Sequence, residues 1–130
     1  PRNPRCQPHF THALTHSRTH ALTHTMSYCD AAPGHPFHGP YHEHEYGFPL
    51  RGDDELLERL ALEINQAGLS WLTILKKKDA FHRAFDGFDV DRVAAYGEEE
   101  RARLLADAGI VRNRLKVDAV IKNTTKGAKP

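Results

Sequence analysis

The chain has 130 residues, of which 39% are hydrophobic and 27% charged, with a net charge of +1, so it can form one domain at most, with a modest core. Two cysteines, Cys6 and Cys29, are too few for a disulfide framework, and no apolar run is long enough for a signal peptide or a membrane span. A soluble, reducing compartment is the default, cytoplasmic if the source is bacterial, with no membrane partner.

The small net charge hides two regions. Residues 1–25 hold Arg2, Arg5 and Arg18 without an acid, which leaves the rest of the chain slightly acidic. From Thr11 to Thr25 the unit THALTH is repeated intact, a low-complexity pattern with no core to offer. His12, His16, His20 and His24 recur every fourth residue, and on a helix they would form one stripe able to hold a divalent metal. Thr-His dipeptides without acids make a poor isolated helix, so residues 1–25 are read as a disordered leader. Met26 is the only methionine and the expected true start, with the leader a misread or fused extension.

Tyr28 to Gly52 is rich in Gly, Pro, His and aromatics, which predicts an irregular, turn-rich arm. Asp53 then caps a helix with Leu56, Leu57, Leu60, Ile64 and Ala67 on its apolar stripe, stopped by Gly68. Ser70 caps a second helix with Trp71, Ile74 and Leu75 inward, running on towards Phe81 and Phe85. Asp89 opens a short helix through Val93 and Tyr96, ended by Gly97. Glu98 to Asp107 forms another, acidic at its N-terminal end and stopped by Gly109. A last helix covers Arg114 to Lys122, and no strand is predicted, so the fold class is all-α.

Glu63 falls on the margin of the first long stripe, where a carboxylate is partly desolvated. Either it pairs with Arg59 as an ordinary boundary acid, or it serves as a hydrogen-bond acceptor at the floor of a pocket. Asn65, Gln66, Gly68, Ser70 and Trp71 follow it as a polar, glycine-broken corner where a small ligand could reach backbone groups. Beyond it, Arg112, Arg114, Lys116, Lys122, Lys126 and Lys129 stand against Asp118 alone. That end is either a phosphate-binding face or a solvated helix face with a basic tail.

The runs LEINQAGLSWLTILKKKDAFHRAF, FDVDRVAAY and LLADAGIVRNRLKVDAVIKN, with PYHEHEYGFP and the YCD around Cys29 upstream, resemble the DNA-3-methyladenine glycosylase I family over about Tyr28 to Asn123. The resemblance implies a helical array of the helix-hairpin-helix glycosylase type, incomplete at the C-terminus. Residues 26–123 would be its N-terminal half, and 124–130 a basic tail. It implies a DNA-repair enzyme that hydrolyses the N-glycosidic bond of 3-methyladenine in alkylated double-stranded DNA, as a monomer, leaving an abasic site. The damaged base is flipped into a pocket. By position Glu63 would face the base edge as the catalytic carboxylate. Tyr41, Tyr46 and Trp71 would bind the base by stacking, where cation–π attraction favours an alkylated purine. Cys29 and His42 match the first two ligands of a structural zinc, whose second His and Cys lie near the C-terminus of a longer chain in the family. Asp30, Ala31 and Ala32 replace an aromatic typical after the first cysteine, His38 stands where a tyrosine is common, and Tyr46 replaces a frequent tryptophan. Two other classes remain: a non-catalytic helical DNA- or protein-binding remnant using the basic end, and a His-rich metal module built on the repeat.

Overall fold

The computed structural model describes residues 27–125. The leader with its histidine stripe, Met26, Lys126 and Lys129 lie outside the described residues. The chain divides into two compact units at Pro49/Leu50.

The first unit holds two short helices, α1 (Tyr28–Ala31) and α2 (His38–His44), where an irregular arm was predicted. Both are set by local side-chain bonds rather than by an apolar period. Asp30 accepts from the Ser27 backbone N–H (3.1 Å) and hydroxyl (2.7 Å), which closes the first turn of α1. Nδ1 of His35 accepts from the backbone N–H groups of Phe37 and His38 at 3.2 and 3.1 Å, which satisfies donors that open α2.

The second unit contains α3 (Asp53–Gln66), α4 (Trp71–Ala84), α5 (Val90–Ala94), α6 (Glu98–Ala106) and α7 (Arg114–Thr125). A one-turn 3-10 segment, Asp86–Phe88, separates α4 from α5. Among the described residues there is no strand, as expected for an all-α chain. The N-cap of α3 is Gly52 rather than Asp53, so Asp53, Asp54 and Glu55 occupy the first turn, where their charges oppose the helix dipole. Asp54 Oδ1 also accepts from Val90 N–H at 3.1 Å, tying the start of α5 to α3. Ser70 and Asp89 cap α4 and α5 as predicted, accepting from Thr73 N–H (3.2 Å) and Arg92 N–H (3.0 Å). The last helix runs on past Lys122 to Thr125, so Thr124, assigned to the tail from sequence, is a buried helical residue.

Helix α7 packs on α3, α5 and α6, and α3 packs on α4. Phe81, Phe85 and Phe88 are fully buried at the centre, with Phe85 and Phe88 stacked at 5.3 Å and 8°. Leu57, Ala61, Leu62 and Asn65 form the buried face of α3. Leu56 and Leu60, expected inward, are 55% and 37% exposed. The helix is apolar around more than one face, and burial goes to the face that α4 and α7 meet.

The 3-10 segment is unusual. Asp86, Gly87 and Phe88 all have positive φ, at 52°, 70° and 58°. Two of them are not glycine, and a left-handed conformation costs an L-residue about 1–2 kcal/mol. The neighbourhood holds the turn in place. Tyr96 donates its hydroxyl hydrogen to Asp86, Arg103 pairs with the same carboxylate at 3.7 Å, and Arg103 Nη1 donates to the Ala84 carbonyl at 2.9 Å. Burial and the Asp86 bond together push the Tyr96 hydroxyl well above the usual phenol range, so it stays protonated and donating.

Candidate functional site

Glu63 lies in the last turn of α3 and is exposed, not partly desolvated as its stripe position predicted. The cause is the rotation described above: Leu56, Leu60, Glu63 and Ala67 share the outer face of α3, and all four are exposed. Among the described residues no hydrogen bond or ion pair reaches Glu63, so of the alternatives the pairing with Arg59 is not formed.

Four residues on, the chain breaks. Ala67 leaves helical geometry at φ −54°, ψ 118°, and Gly68 takes φ +79°, a left-handed position that a side chain would strain. Leu69 N–H donates to the Gln66 carbonyl (2.8 Å), and the Gln66 side-chain amide donates to the Leu69 carbonyl (3.3 Å). Ser70 then restarts a helix with Trp71 as its first residue. Trp71 is half-buried against the hydrophobic core, so it has a packing role whatever else it does.

Two features of this corner escaped sequence reasoning. Asn65 is 1% exposed, and its Nδ2 donates to the Ala61 carbonyl at 2.8 Å, while its Oδ1 has no partner among the described residues. Lys116, counted from sequence among the phosphate-facing cations, instead donates to the backbone carbonyls of Asn65 (2.9 Å) and Ala67 (2.6 Å). Arg114 is occupied too, pairing with Glu98 at 3.6 Å and Asp118 at 3.8 Å. The same two carboxylates take Arg101, at 3.3 and 2.9 Å, in a four-member ionic network between α6 and α7. Of the described cations in that end, Arg112 and Lys122 remain as exposed groups with no described partner.

Within the first unit, Tyr41 and His42 are buried and Tyr46 is half-buried. The His42 ring stacks on Tyr46 at 5.9 Å and 21°, and Tyr28 meets Tyr46 and His42 edge-on at 5.1 and 5.7 Å. Burial, then Tyr41 and Tyr46, raises the Tyr28 phenol. Its hydroxyl hydrogen-bonds His38 Nδ1 at 3.0 Å, so His38 joins the same aromatic cluster. Cys29 is half-buried within the same unit, and its sulfur ligates a metal only as the thiolate. Among the described residues no group of three or more His, Cys, Asp or Glu is arranged to hold a metal ion, so they do not complete a four-ligand zinc site.

A groove of about 260 Å³ lies towards the start of α3, between Leu56, Leu60, Val90 and Asn123. Neither Glu63 nor Trp71 lines it.

A family model described as methyladenine glycosylase matches residues 31–129. The chain belongs to the methyladenine glycosylase family. It is 43% identical over 98 residues to DNA-3-methyladenine glycosylase 1 of Escherichia coli (strain K12), covering 75% of this chain and 52% of that protein. Identity to DNA-3-methyladenine glycosylase of Haemophilus influenzae is 37% over 83 residues, or 64% of this chain and 45% of that one. Among solved structures, a crystal structure of 3-methyladenine DNA glycosylase I superimposes with a TM-score of 0.69 at 42% identity, over 75% of this chain and 53% of that one. The Staphylococcus aureus enzyme, solved for the structural basis of its 3-methyladenine recognition, gives 0.69 at 39% identity, over 76% and 53%. The chain thus spans about half the length of the relatives it matches. The glycosylase match runs past Asn123, where the resemblance read from sequence stops, and it includes Tyr41, His42, Tyr46, Glu63 and Trp71; Cys29 precedes it.

Proposed function

We propose that this glycosylase-family chain carries the base-recognition part of a DNA-repair N-glycosylase that releases 3-methyladenine from alkylated double-stranded DNA. The observation that carries the reading is Glu63, an exposed carboxylate with no described partner, one turn before the glycine-broken corner that leads to Trp71. An alkylated adenine is cationic while attached to the sugar, and a carboxylate at its edge selects that charge over a neutral base. Because the base leaves as a neutral molecule, the glycosidic electron pair stays with its ring nitrogen. Water supplies the oxygen that bonds to the sugar carbon and gives up a proton, leaving an abasic site. Glu63 accepts from the base edge, and Trp71 offers a face for stacking. Tyr41 and Tyr46 are proposed as further stacking residues on the strength of their positions in the family match.

Glu63→Gln keeps the shape and removes the charge. Release of 3-methyladenine from alkylated duplex, followed by chromatography, should fall on the order of 10²-fold with the melting temperature unchanged. Equal release by both proteins would refute the assignment. The rival, a non-catalytic DNA-binding remnant, has less support because Arg114 and Lys116 are already engaged within the fold. Salt-sensitive duplex binding by the parent chain with no base release would favour it.

Cys29 and His42 are proposed as half of a structural zinc site, available when Cys29 is a thiolate. Zinc bound by the reduced protein at one equivalent, and lost in His42→Ala, supports this; no binding, or binding indifferent to His42, rejects it. The protein is proposed to act as a monomer.

A further inference from the structure

We infer that Lys116 is a positioning residue for the base wall, its ammonium holding the corner between α3 and α4 and so setting both Glu63 and Trp71. This rests on the glycosylase reading above. The last turn of α3 has no basic residue of its own to meet its unpaired carbonyls. Lys116 meets them from 51 and 49 residues away in sequence, at 2.9 Å on Asn65 and 2.6 Å on Ala67. The two carbonyls bracket the point where the helix ends, so one cation fixes where α3 stops and where Gly68 begins its left-handed turn. The anchor is itself anchored: Lys116 N–H donates to Asn113 Oδ1 at 3.2 Å, which places the side chain on the first turn of α7. No carboxylate pairs with Lys116 among the described residues, unlike Arg114 two positions earlier. Its charge is therefore spent on the negative end of the α3 dipole. Glu63 stands two residues before one held carbonyl, and Trp71 four after the other. Slack at this corner displaces the acceptor and the stacking face together.

Trp71 is the only tryptophan in the chain, so its fluorescence reports the corner directly. Lys116→Met keeps the apolar stem and removes the ammonium. With helical circular dichroism retained, acrylamide quenching of Trp71 should rise about twofold as the corner loosens. Turnover on alkylated duplex should fall about tenfold or more through kcat, with KM for the duplex and the salt dependence of DNA binding as in the parent. Lys116→Arg, whose guanidinium can reach two carbonyls, should restore both signals. Unchanged Trp71 quenching in a folded Lys116→Met protein overturns the inference. So does a salt slope reduced by about one, which would make Lys116 a phosphate contact. If Lys116→Met loses its helical signal, Lys116→Gln, which keeps a donor for one carbonyl, carries the same Trp71 measurement. A parent chain that releases no base refutes the glycosylase reading, while the quenching comparison still decides whether Lys116 holds the corner.

Discussion

His38 shares a hydrogen bond with the Tyr28 hydroxyl, and its ring lies 4.7 Å from that of His35. Burial first, and then the neighbouring His35, holds its pKa below the ordinary 6.5. The unfolded chain therefore takes up a proton more readily than the native one between those two values. The stabilising contribution of neutral His38 is complete above about pH 6.5 and is lost as pH falls towards the lowered native pKa. The first unit, followed by tyrosine near-ultraviolet dichroism, should melt at a higher temperature at pH 7.5 than at pH 5.5, and His38→Phe should narrow the gap. Identical melting of the parent chain at both values would show that His38 is not held neutral. None of this is visible from the residue type alone, because the shift comes from partners that only the folded arm brings together. Lys116 is a similar case: its neighbours in sequence mark it as one cation of a basic run, and its carbonyl partners lie some fifty residues upstream.

At the level of elements, the helices with ordinary punctuation were legible. Ser70 and Asp89 cap where predicted because a small oxygen side chain directly precedes an apolar period. The two arm helices were not, since His35 and the Ser27–Asp30 pair act without any such period. The orientation of α3 was misread for a different reason: two overlapping apolar faces fit the same spacing, and only the neighbours α4 and α7 choose between them. The turn at Asp86–Phe88 is not legible because Asp and Gly visit positive φ only as single residues, and Phe88 carries no mark of it. It makes a sharp prediction. Phe88 is fully buried and stacked on Phe85, so its truncation to alanine should cost about 3–5 kcal/mol. Phe88→Gly should be less damaging than Phe88→Ala by about 1 kcal/mol, the reverse of the helical order, because glycine alone is at ease at φ 58°. Chemical denaturation of the two variants checks it, and alanine proving the milder change would mean that the turn does not exist in solution.

Across the molecule, the family and the all-helical class were readable because EINQAGLSW and YHEHEYG are long, ordered patterns. The site was readable only as a set of positions. The sequence reading puts Glu63 beside a stripe that the fold turns outward, leaving Leu56 and Leu60 at 55% and 37% exposure along the 260 Å³ groove. Exposed apolar area of this kind promotes association rather than folding. The double variant Leu56→Lys, Leu60→Lys should therefore stay dispersed at higher concentration by light scattering, with stability within about 0.5 kcal/mol of the parent. A large loss of stability would show that those leucines are covered in solution.

Because Asp86, Gly87 and Phe88 all sit at positive φ, the backbone between α4 and α5 winds for one turn with the hand of a mirror-image polypeptide. Drift at these positions obeys rules opposite to those of the flanking helices. Alanine, the best replacement on either side, is strained within the turn, and glycine or asparagine, costly in a helix, are the replacements its backbone accepts.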